Sequence, residues 1–190
     1  SLRPEVRYLC DPVMGDVGRG IFVRPGIPDF LRKRALSLAS VITPNHYEFE
    51  LLCGRPLTSV AAAIEAARAT LAQMHEGPAA LIVITSLRTA DLPADQLATL
   101  AVTADGAWLV QTPFVDLQPL PNGMGDVFSA VLLAHLLRER AVPEAVSSAV
   151  STLYALVSHT ESGQRDLPLV ACRDQIMQPA QSFAAVALAG

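Results

Sequence analysis

A glycine-rich loop at residues 121–126 stands directly before an apolar run and carries residue types suited to anion chemistry. Gly123 and Gly125 lack a Cβ, so the backbone can turn sharply there and approach a ligand closely. A helix that starts after the loop directs unpaired N–H groups and its positive dipole end at the loop. Asp126 stands where a carboxylate can accept a proton from an attacking hydroxyl. An anion cradle beside a general base is what phosphoryl transfer to an alcohol requires.

The same loop has a purely structural interpretation. Gly-x-Gly-Asp before an apolar helix is also typical of a tight turn with an acidic cap, which stabilises a helix by about 0.5–2 kcal/mol. If no other motif agreed with it, the loop would favour this interpretation.

Three further groups of polar residues each follow a short apolar segment that predicts a strand. They are Asp11, then Thr43 with Asn45, and then Thr85 with Ser86. In a sheet of parallel strands flanked by helices, ligands bind beyond the carboxyl ends of the strands. Each group also fits an ordinary cap or turn, but their repeated placement favours one site that includes the glycine loop.

Glu48 lies three residues after Asn45 at a predicted helix start, and this spacing allows two interpretations. In the first, the two residues form a capping box, in which Glu48 accepts the Asn45 backbone N–H. In the second, Glu48 holds Mg²⁺ through water, because Mg²⁺ is bound by few carboxylates and retains several waters. The residues alone favour the capping box. In the metal interpretation, Asp11 shares the ion or orients a triphosphate.

Other residues near these motifs have weaker signals. Thr85 and Ser86 can donate hydrogen bonds to phosphate oxygens, and the segment 112–115 can flank an adenine ring.

The four histidines lack metal-ligand spacing; His46 lies beside the predicted site, but a structural role is favoured for it. The three cysteines are widely spaced and odd in number, which predicts buried thiols in a reducing, cytoplasmic compartment.

Strands and helices alternate along the chain, which predicts an α/β fold with a mostly parallel central sheet flanked by helices. Strands are expected at 6–10, 39–42 and 81–84, and a hairpin at 97–103 and 107–111. Helices are expected at 28–38, 46–53, 60–75, 127–140, 143–160 and 169–177, with Gly77-Pro78 ending the third.

Length and composition limit the remaining classes. The 190 residues predict one domain, 1–190, and 51% hydrophobic residues with a mean hydropathy of +0.36 fit strands buried on both faces. No apolar run approaches the roughly 20 residues of a membrane span, and the first residues contain no apolar signal core. Half of the basic residues lie in the first 34 positions, but acids are interspersed among them and no aromatic platform accompanies them. We therefore expect neither a membrane nor a nucleic-acid partner.

Four motifs, in this order and approximate spacing, resemble those of pyridoxal kinases of the ribokinase-like superfamily. They are Asp11-Pro12-Val13-Met14-Gly15, Thr43-Pro44-Asn45-His46-Tyr47-Glu48, Ile84-Thr85-Ser86 and Gly123-Met124-Gly125-Asp126. The resemblance covers most of the chain, and the first and last motifs together favour the vitamin B6 branch. Hydroxymethylpyrimidine kinases, the nearest alternative, usually carry cysteine or another residue where Asp126 stands.

The resemblance implies a ribokinase-like fold and ATP-dependent phosphorylation of the 5′-hydroxyl of pyridoxal, with pyridoxine and pyridoxamine as further substrates in vitamin B6 salvage. It implies that Asp126 is the general base and contacts the substrate. It also implies Mg²⁺ as cofactor, held by Glu48 and Asp11 largely through water, and we expect a homodimer or other self-association. The implied anion hole is Gly123, Met124 and Gly125, and the implied ATP-binding residues are Asp11, Thr43, Glu48, Thr85, Ser86, Thr112, Pro113, Phe114 and Val115.

The chain departs from the family pattern in two respects. Bacterial relatives often carry lysine where Thr85 stands and arginine near Thr112, so phosphate charge would fall to Mg²⁺ and hydroxyls here. The N-terminal third of the pattern has no counterpart, so the chain resembles the nucleotide-binding part of a kinase with an open sheet edge, which predicts self-association. A non-catalytic remnant that binds a nucleotide or a partner protein is the alternative from another functional class.

Overall fold

The computed structural model describes residues 7–76 and 79–189, which divide into two compact units. The first unit holds the chain up to Ala94, Ala98–Leu109 and the end of the chain from Ala187. The second holds Asp95–Leu97 and Val110–Val186. A single domain spanning 1–190 stays a prediction.

The main sheet of the described residues has six strands. In spatial order they are β1 (Leu9–Cys10), β4 (Val41–Ile42), β5 (Leu81–Leu87), β6 (Gln96–Val102), β7 (Ala107–Pro113) and β8 (Val186–Ala187). β1 pairs parallel with β4, β4 pairs parallel with β5, and β5 pairs antiparallel with β6. A separate antiparallel pair joins β2 (Gly15–Asp16) and β3 (Gly20–Ile21).

Helices connect these strands. They are α1 (Ile27–Phe30), continued by a π-helical segment (Leu31–Ala35) and α2 (Leu36–Leu38), then α3 (His46–Cys53), α4 (Val60–Leu71), α5 (Met124–Leu137), α6 (Val142–Ser158) and α7 (Arg173–Met177). The expected α/β class, with a mostly parallel central sheet flanked by helices, is confirmed, and the pairing of β5 with β6 adds an antiparallel pair to the sheet.

Several predicted boundaries are wrong. α4 ends at Leu71 instead of His75, and Gly77 and Pro78, its predicted stop, lie outside the described residues. β5 continues to Leu87, three residues past the apolar run, because a strand is defined by backbone pairing and not by side-chain polarity. α7 starts at Arg173, four residues later than expected, and β8 was not predicted.

The first unit has a core built mainly from β5 and from the inner faces of α3 and α4. Ile82, Val83 and Ile84 are completely buried, as expected for a strand covered on both faces. Phe49 of α3 and Ala63 of α4 are likewise buried. Burying each such aliphatic or aromatic side chain contributes about 1.5–3 kcal/mol, so this core fixes the positions of the strand ends.

The second unit has its own core, formed by α5 and α6. Leu132 on α5 and Val146, Ala149 and Leu156 on α6 are fully buried. The three α6 residues are spaced by three and seven positions, which places them on one helical face. In the described part of the chain, no helix has both the length and the apolar character needed to cross a membrane.

Candidate functional site

The buried carboxylate of Glu48 accepts three backbone hydrogen bonds in the first unit. Its Oε1 accepts the N–H groups of Met14, at 2.9 Å, and Gly15, at 3.4 Å. Its Oε2 accepts the Asn45 N–H at 2.9 Å. Glu48 is only 4% exposed, so these bonds replace water as partners of the carboxylate. The side chain thereby ties the loop after β1 to the start of α3.

Burial and hydrogen bonding act on the pKa of Glu48 in opposite directions. Desolvation is the larger effect and raises the pKa above its usual value of 4.5, because burial penalises the charged form. The amides of Asn45, Met14 and Gly15 lower it by stabilising the carboxylate, and the negative charge of Asp16 raises it again. The net shift is upward.

Asn45 caps α3 in the way that its spacing to Glu48 predicts. The Asn45 side-chain oxygen accepts the Glu48 N–H at 2.8 Å, which completes a reciprocal capping box with the Glu48 side chain. The Asn45 side-chain amide also donates to the Gly15 carbonyl at 2.9 Å. The structural interpretation of this pair is therefore confirmed, and the metal interpretation stays a proposal.

Gly15 is held at a position where no side chain fits. A Cβ there would lie 2.6 Å from the Gly20 carbonyl oxygen and 2.7 Å from the Tyr47 ring. The close approach lets β2 and β3 pack against α3. The hairpin that follows Met14 is thus positioned by both a hydrogen-bonding carboxylate and a missing Cβ.

Asp11 and Thr43 follow neighbouring parallel strands, as predicted. The Thr43 N–H donates to the Cys10 carbonyl at 3.1 Å, which continues the pairing of β1 with β4 past the last strand residue. Thr43 is 3% exposed and Asp11 is half-buried. The two residues therefore lie at the same edge of the sheet, Thr43 in its interior and Asp11 partly accessible.

Thr85 and Ser86 lie inside β5 and not after it. The Thr85 N–H donates to the Pro44 carbonyl at 2.9 Å, and Thr85 pairs with Asn45 in an isolated parallel bridge. The pairing of β5 with β6 shifts register between Ile84 and Leu87, so Ser86 sits in a bulge. Ser86 is exposed and has a φ of 51°, a left-handed conformation that serine rarely adopts.

The residues of this region fit Mg²⁺ only if waters and substrate phosphates supply most of its ligands. The described residues contain no group of three or more His, Cys, Asp or Glu side chains able to hold a metal. Glu48 already accepts three amides, and the Asp11 side chain, which follows β1, is partly accessible. Mg²⁺ commonly uses one or two carboxylates together with waters and substrate phosphates, so the residues suit a magnesium–nucleotide complex better than a dedicated ion site.

The glycine loop belongs to the second unit and leads into α5. Gly123 precedes the helix with a φ of 82°, and no side chain caps the first turn. The helix begins at Met124, so the predicted start at Val127 is wrong: Met124, Gly125 and Asp126 form the first turn. The Asn122 N–H donates to the Arg165 carbonyl at 2.6 Å and holds the loop in place.

Asp126 projects an exposed carboxylate from this first turn. Within residues 7–76 and 79–189, its carboxylate makes no hydrogen bond or ion pair with another side chain. The Met124 and Gly125 amides precede it in a turn where backbone N–H groups have no intrahelical partner. An anion and a proton-accepting carboxylate can be accommodated there together.

The predicted adenine-flanking segment also lies in the second unit. Thr112 and Pro113 end β7, although both were expected in a linker. Thr112 is 8% exposed, while Phe114 is 42% exposed. The Phe114 N–H donates to the Asp95 carbonyl at 2.9 Å, and Val115 is half-buried. Phe114 is the member of the segment best placed to stack on a planar ligand.

A comparison with known proteins identifies the family. The family model described as phosphomethylpyrimidine kinase matches residues 2–169. The chain belongs to the phosphomethylpyrimidine kinase family. Among curated members of similar sequence, pyridoxal kinase PdxY of Deinococcus radiodurans is 40% identical over 183 residues. That of Rubrobacter xylanophilus is 43% identical over 182 residues. The matches cover 96% and 95% of this chain, and the expected resemblance to pyridoxal kinases is confirmed.

Solved structures of this kinase family share the fold. Pyridoxal kinase from Leishmania donovani in complex with ADP and pyridoxamine matches with a TM-score of 0.83 and 30% identity. Pyridoxal kinase from Entamoeba histolytica matches with a TM-score of 0.81 and 24% identity. Each match covers 96% of this chain but only 61% and 62% of the other protein. The chain thus spans about three fifths of the length of the relatives it matches.

Within the first unit, the structure brings together Glu48, Asn45 and Thr85 and attaches the loop after β1 to them. The Met14 and Gly15 amides were missed by sequence reasoning, because a backbone donor has no residue-type signature. His46 was noticed only for its place in the chain, yet its Nδ1 accepts the Arg88 N–H at 3.2 Å. That partner lies 42 residues away, beyond the reach of local spacing.

Proposed function

We propose that this member of the phosphomethylpyrimidine kinase family contributes to the ATP-dependent phosphorylation of the 5′-hydroxyl of pyridoxal, as a step of vitamin B6 salvage, with pyridoxine and pyridoxamine as further substrates. The observation that carries the proposal is the exposed Asp126 carboxylate in an uncapped first turn of α5. Relatives named pyridoxal kinase at 40% and 43% identity support the substrate class. The Leishmania donovani relative, solved with ADP and pyridoxamine, supports the nucleotide and the vitamin.

In this proposal Asp126 contacts the substrate and accepts the proton of its 5′-hydroxyl as the oxygen attacks the γ-phosphorus of ATP. One O–P bond forms, the bond from the γ-phosphorus to the bridging oxygen breaks, and ADP leaves with the bonding electrons. The amides of Gly123, Met124 and Gly125 stabilise the negative charge of the migrating phosphoryl group, because the first turn of α5 has N–H groups without intrahelical partners.

The remaining predicted residues are proposed to hold ATP. Thr43, Thr85 and Ser86 supply hydroxyl groups for phosphate oxygens, and Asp11 and Glu48 orient Mg²⁺ largely through water. When bound, Mg²⁺ neutralises phosphate charge and withdraws electron density from the γ-phosphorus. The segment Thr112, Pro113, Phe114 and Val115 flanks the nucleotide base. The exposed ring of Phe114 supports this last assignment.

The test is ADP formation from Mg-ATP by this chain, with and without pyridoxal, comparing wild type with Asp126→Asn. Loss of the base removes general-base catalysis, which typically contributes 10²- to 10⁴-fold in rate, so turnover should fall by about that factor while Mg-ATP affinity stays unchanged. Asp174→Asn is the matched control, because Asp174 is an exposed acid in the first turn of α7. Undiminished turnover in Asp126→Asn would refute the assignment.

The family model supports a second candidate, a kinase for a hydroxymethylpyrimidine or its phosphate. Offering the pyrimidine or its phosphate in place of pyridoxal in the same assay separates the two candidates, because only a true acceptor should stimulate ADP formation. Turnover with the pyrimidine but not with pyridoxal would favour the pyrimidine kinase. Nucleotide binding with neither acceptor phosphorylated would favour the non-catalytic remnant.

We further propose a cytoplasmic protein that acts as a homodimer and uses only small-molecule ligands. The thiols of Cys10, Cys53 and Cys172 are free, which suits a reducing compartment. Exposed apolar side chains in both units supply surface for self-association.

A further inference from the structure

The backbone of Ser86 is strained and needs support from its surroundings. Its φ of 51° lies in the left-handed region, which residues with a Cβ rarely adopt. It sits in the bulge between Ile84 and Leu87, where the pairing with β6 is interrupted. Its side chain is exposed, so packing does not hold it. Neighbouring residues must therefore fix this conformation.

Backbone N–H groups on either side of Ser86 donate hydrogen bonds to the segment 44–46, where α3 begins. On one side, the Thr85 N–H donates to the Pro44 carbonyl at 2.9 Å. On the other, the Arg88 N–H donates to His46 Nδ1 at 3.2 Å. The first acceptor is a backbone carbonyl, but the second is a side chain. The hydrogen bond to His46 therefore depends on the residue type of the acceptor.

The His46 ring is held so that its Nδ1 can accept. An acceptor Nδ1 requires the proton to be on Nε2, which lies 3.3 Å from Glu50 Oε1. The same Glu50 oxygen accepts the Leu57 N–H at 2.7 Å, which fixes the carboxylate. The His46 side chain is 15% exposed. Its tautomer and orientation are therefore set by Glu50, as one expects of an aligned hydrogen-bond relay.

We infer that His46 is a positioning residue for the nucleotide: by accepting the Arg88 N–H, it keeps the Thr85–Ser86 bulge in the conformation that presents these residues to phosphate. This inference rests on the nucleotide role proposed above for Thr85 and Ser86. Without the His46 acceptor, the chain after Ser86 loses its hydrogen bond to α3 but keeps the pairing of Leu87 with Ala98, so Ser86 has more freedom to relax towards extended backbone. Thr85 and Ser86 then no longer share the orientation that the bulge imposes.

The test uses two substitutions that both remove the imidazole ring of His46 but differ in whether a hydrogen-bond acceptor remains. His46→Asn keeps an acceptor, because the Asn side-chain oxygen lies near the position of His Nδ1, but it loses the link to Glu50. His46→Ala loses the acceptor altogether. His75→Ala, on the same unit, controls for removal of a histidine. Circular dichroism and thermal unfolding verify that every variant is folded.

Two quantities are measured for each chain: the hydrogen-exchange rate of the Arg88 amide and the affinity for Mg-ATP. In His46→Ala, Arg88 should exchange faster and Mg-ATP should bind about 3- to 10-fold more weakly, the range for one net hydrogen bond. In His46→Asn, both should stay within about twofold of wild type, as should the His75→Ala control. With pyridoxal present, KM for ATP should rise in His46→Ala while kcat is unchanged.

Equal losses in His46→Asn and His46→Ala would overturn the inference, because the acceptor would then not matter. Unchanged Mg-ATP affinity in a folded His46→Ala chain would also overturn it, while leaving the proposed kinase function intact. If the wild-type chain itself binds no Mg-ATP, the proposed nucleotide role fails and the positioning role falls with it. The wild-type measurement thus distinguishes the two failures.

Discussion

At the scale of single residues, Glu48 combines two roles that its spacing to Asn45 left open. Its carboxylate completes the capping box and also accepts the amides of Met14 and Gly15. A carboxylate has about four acceptor positions, so three amide bonds leave part of its capacity for another ligand. The metal role proposed for Glu48 is therefore compatible with the clamp that the structure shows.

The raised pKa of Glu48 gives a pH-dependent contribution to stability. The group takes up protons more readily in the folded than in the unfolded chain, so its contribution is fully present below about pH 4.5, the unfolded value. That contribution is lost as the pH rises through the higher folded pKa. Glu48→Gln does not titrate at this position. The free energy of unfolding of wild type minus that of Glu48→Gln should therefore be largest at low pH and decrease above pH 4.5.

Urea unfolding of wild type and Glu48→Gln between about pH 4 and pH 7 measures this difference. Glu48→Gln should also be less stable throughout, by about 1–3 kcal/mol, because its NH₂ group faces a backbone donor. Glu65→Gln, an exposed acid on α4, controls for the removal of one charge. A difference in unfolding free energy that grows with rising pH would contradict the expected sign.

At the scale of elements, α3 is the helix that connects the predicted site to the rest of the first unit. Its start is fixed by Asn45 and its end by Gly54, which has a φ of 72°. Both ends could be read from the sequence, because cap residues act on backbone groups only a few positions away. The helix therefore presents Glu48 and His46 at defined positions relative to the chain before it.

Asn45→Ala should destabilise the protein by about 1–2 kcal/mol or more, because it removes the cap to the Glu48 N–H. It also removes the hydrogen bond to the Gly15 carbonyl. Ser59→Ala, which removes the cap of α4 alone, provides the comparison. Chemical denaturation measures both. A smaller loss in Asn45→Ala than in Ser59→Ala would show that the second bond contributes nothing.

Asn45→Asp separates the two functions of Asn45. Aspartate keeps the oxygen that caps α3 but cannot donate to the Gly15 carbonyl, and it places a negative charge beside Glu48. The loss of stability in Asn45→Asp should therefore come mainly from weaker attachment of the loop after β1. Faster hydrogen exchange confined to Met14 and Gly15 would identify that origin.

At the scale of the whole molecule, the exposed apolar side chains give a prediction about association. Val17 is 74% exposed in the first unit, and Val170 and Met177 are 87% and 75% exposed in the second. β1 also forms one end of the main sheet, with no strand on its outer side in the part of the chain that the structure describes. Surfaces of this kind favour pairing with another copy.

Sedimentation velocity should therefore give a species heavier than the 20.2 kDa monomer, with a concentration-dependent distribution. Val170→Asp with Met177→Asp, and separately Val17→Asp, should reduce association if the corresponding surface takes part. A compact monomer at every concentration would contradict the prediction. Unchanged association in both variants would indicate that the outer edge of β1 forms the contact.

The sequence by itself determined the α/β class, the capping box, the start of α4 at residue 60 and the hairpin whose second strand starts at residue 107. Each depends on contacts within a few residues or on the period of apolar positions, so local chemistry suffices. It also placed Asp126 at the start of a helix, although that helix begins at Met124, three residues earlier than expected.

Only the tertiary structure decided which distant groups share a contact. The Met14 and Gly15 amides reach Glu48 across 34 and 33 residues, and Arg88 reaches His46 across 42. The donor in all three bonds is a backbone N–H, which every residue except proline carries and which no pattern of side chains reveals. The left-handed Ser86 likewise lies where the pairing with β6 shifts register, a tertiary feature that the serine's own backbone preference does not predict.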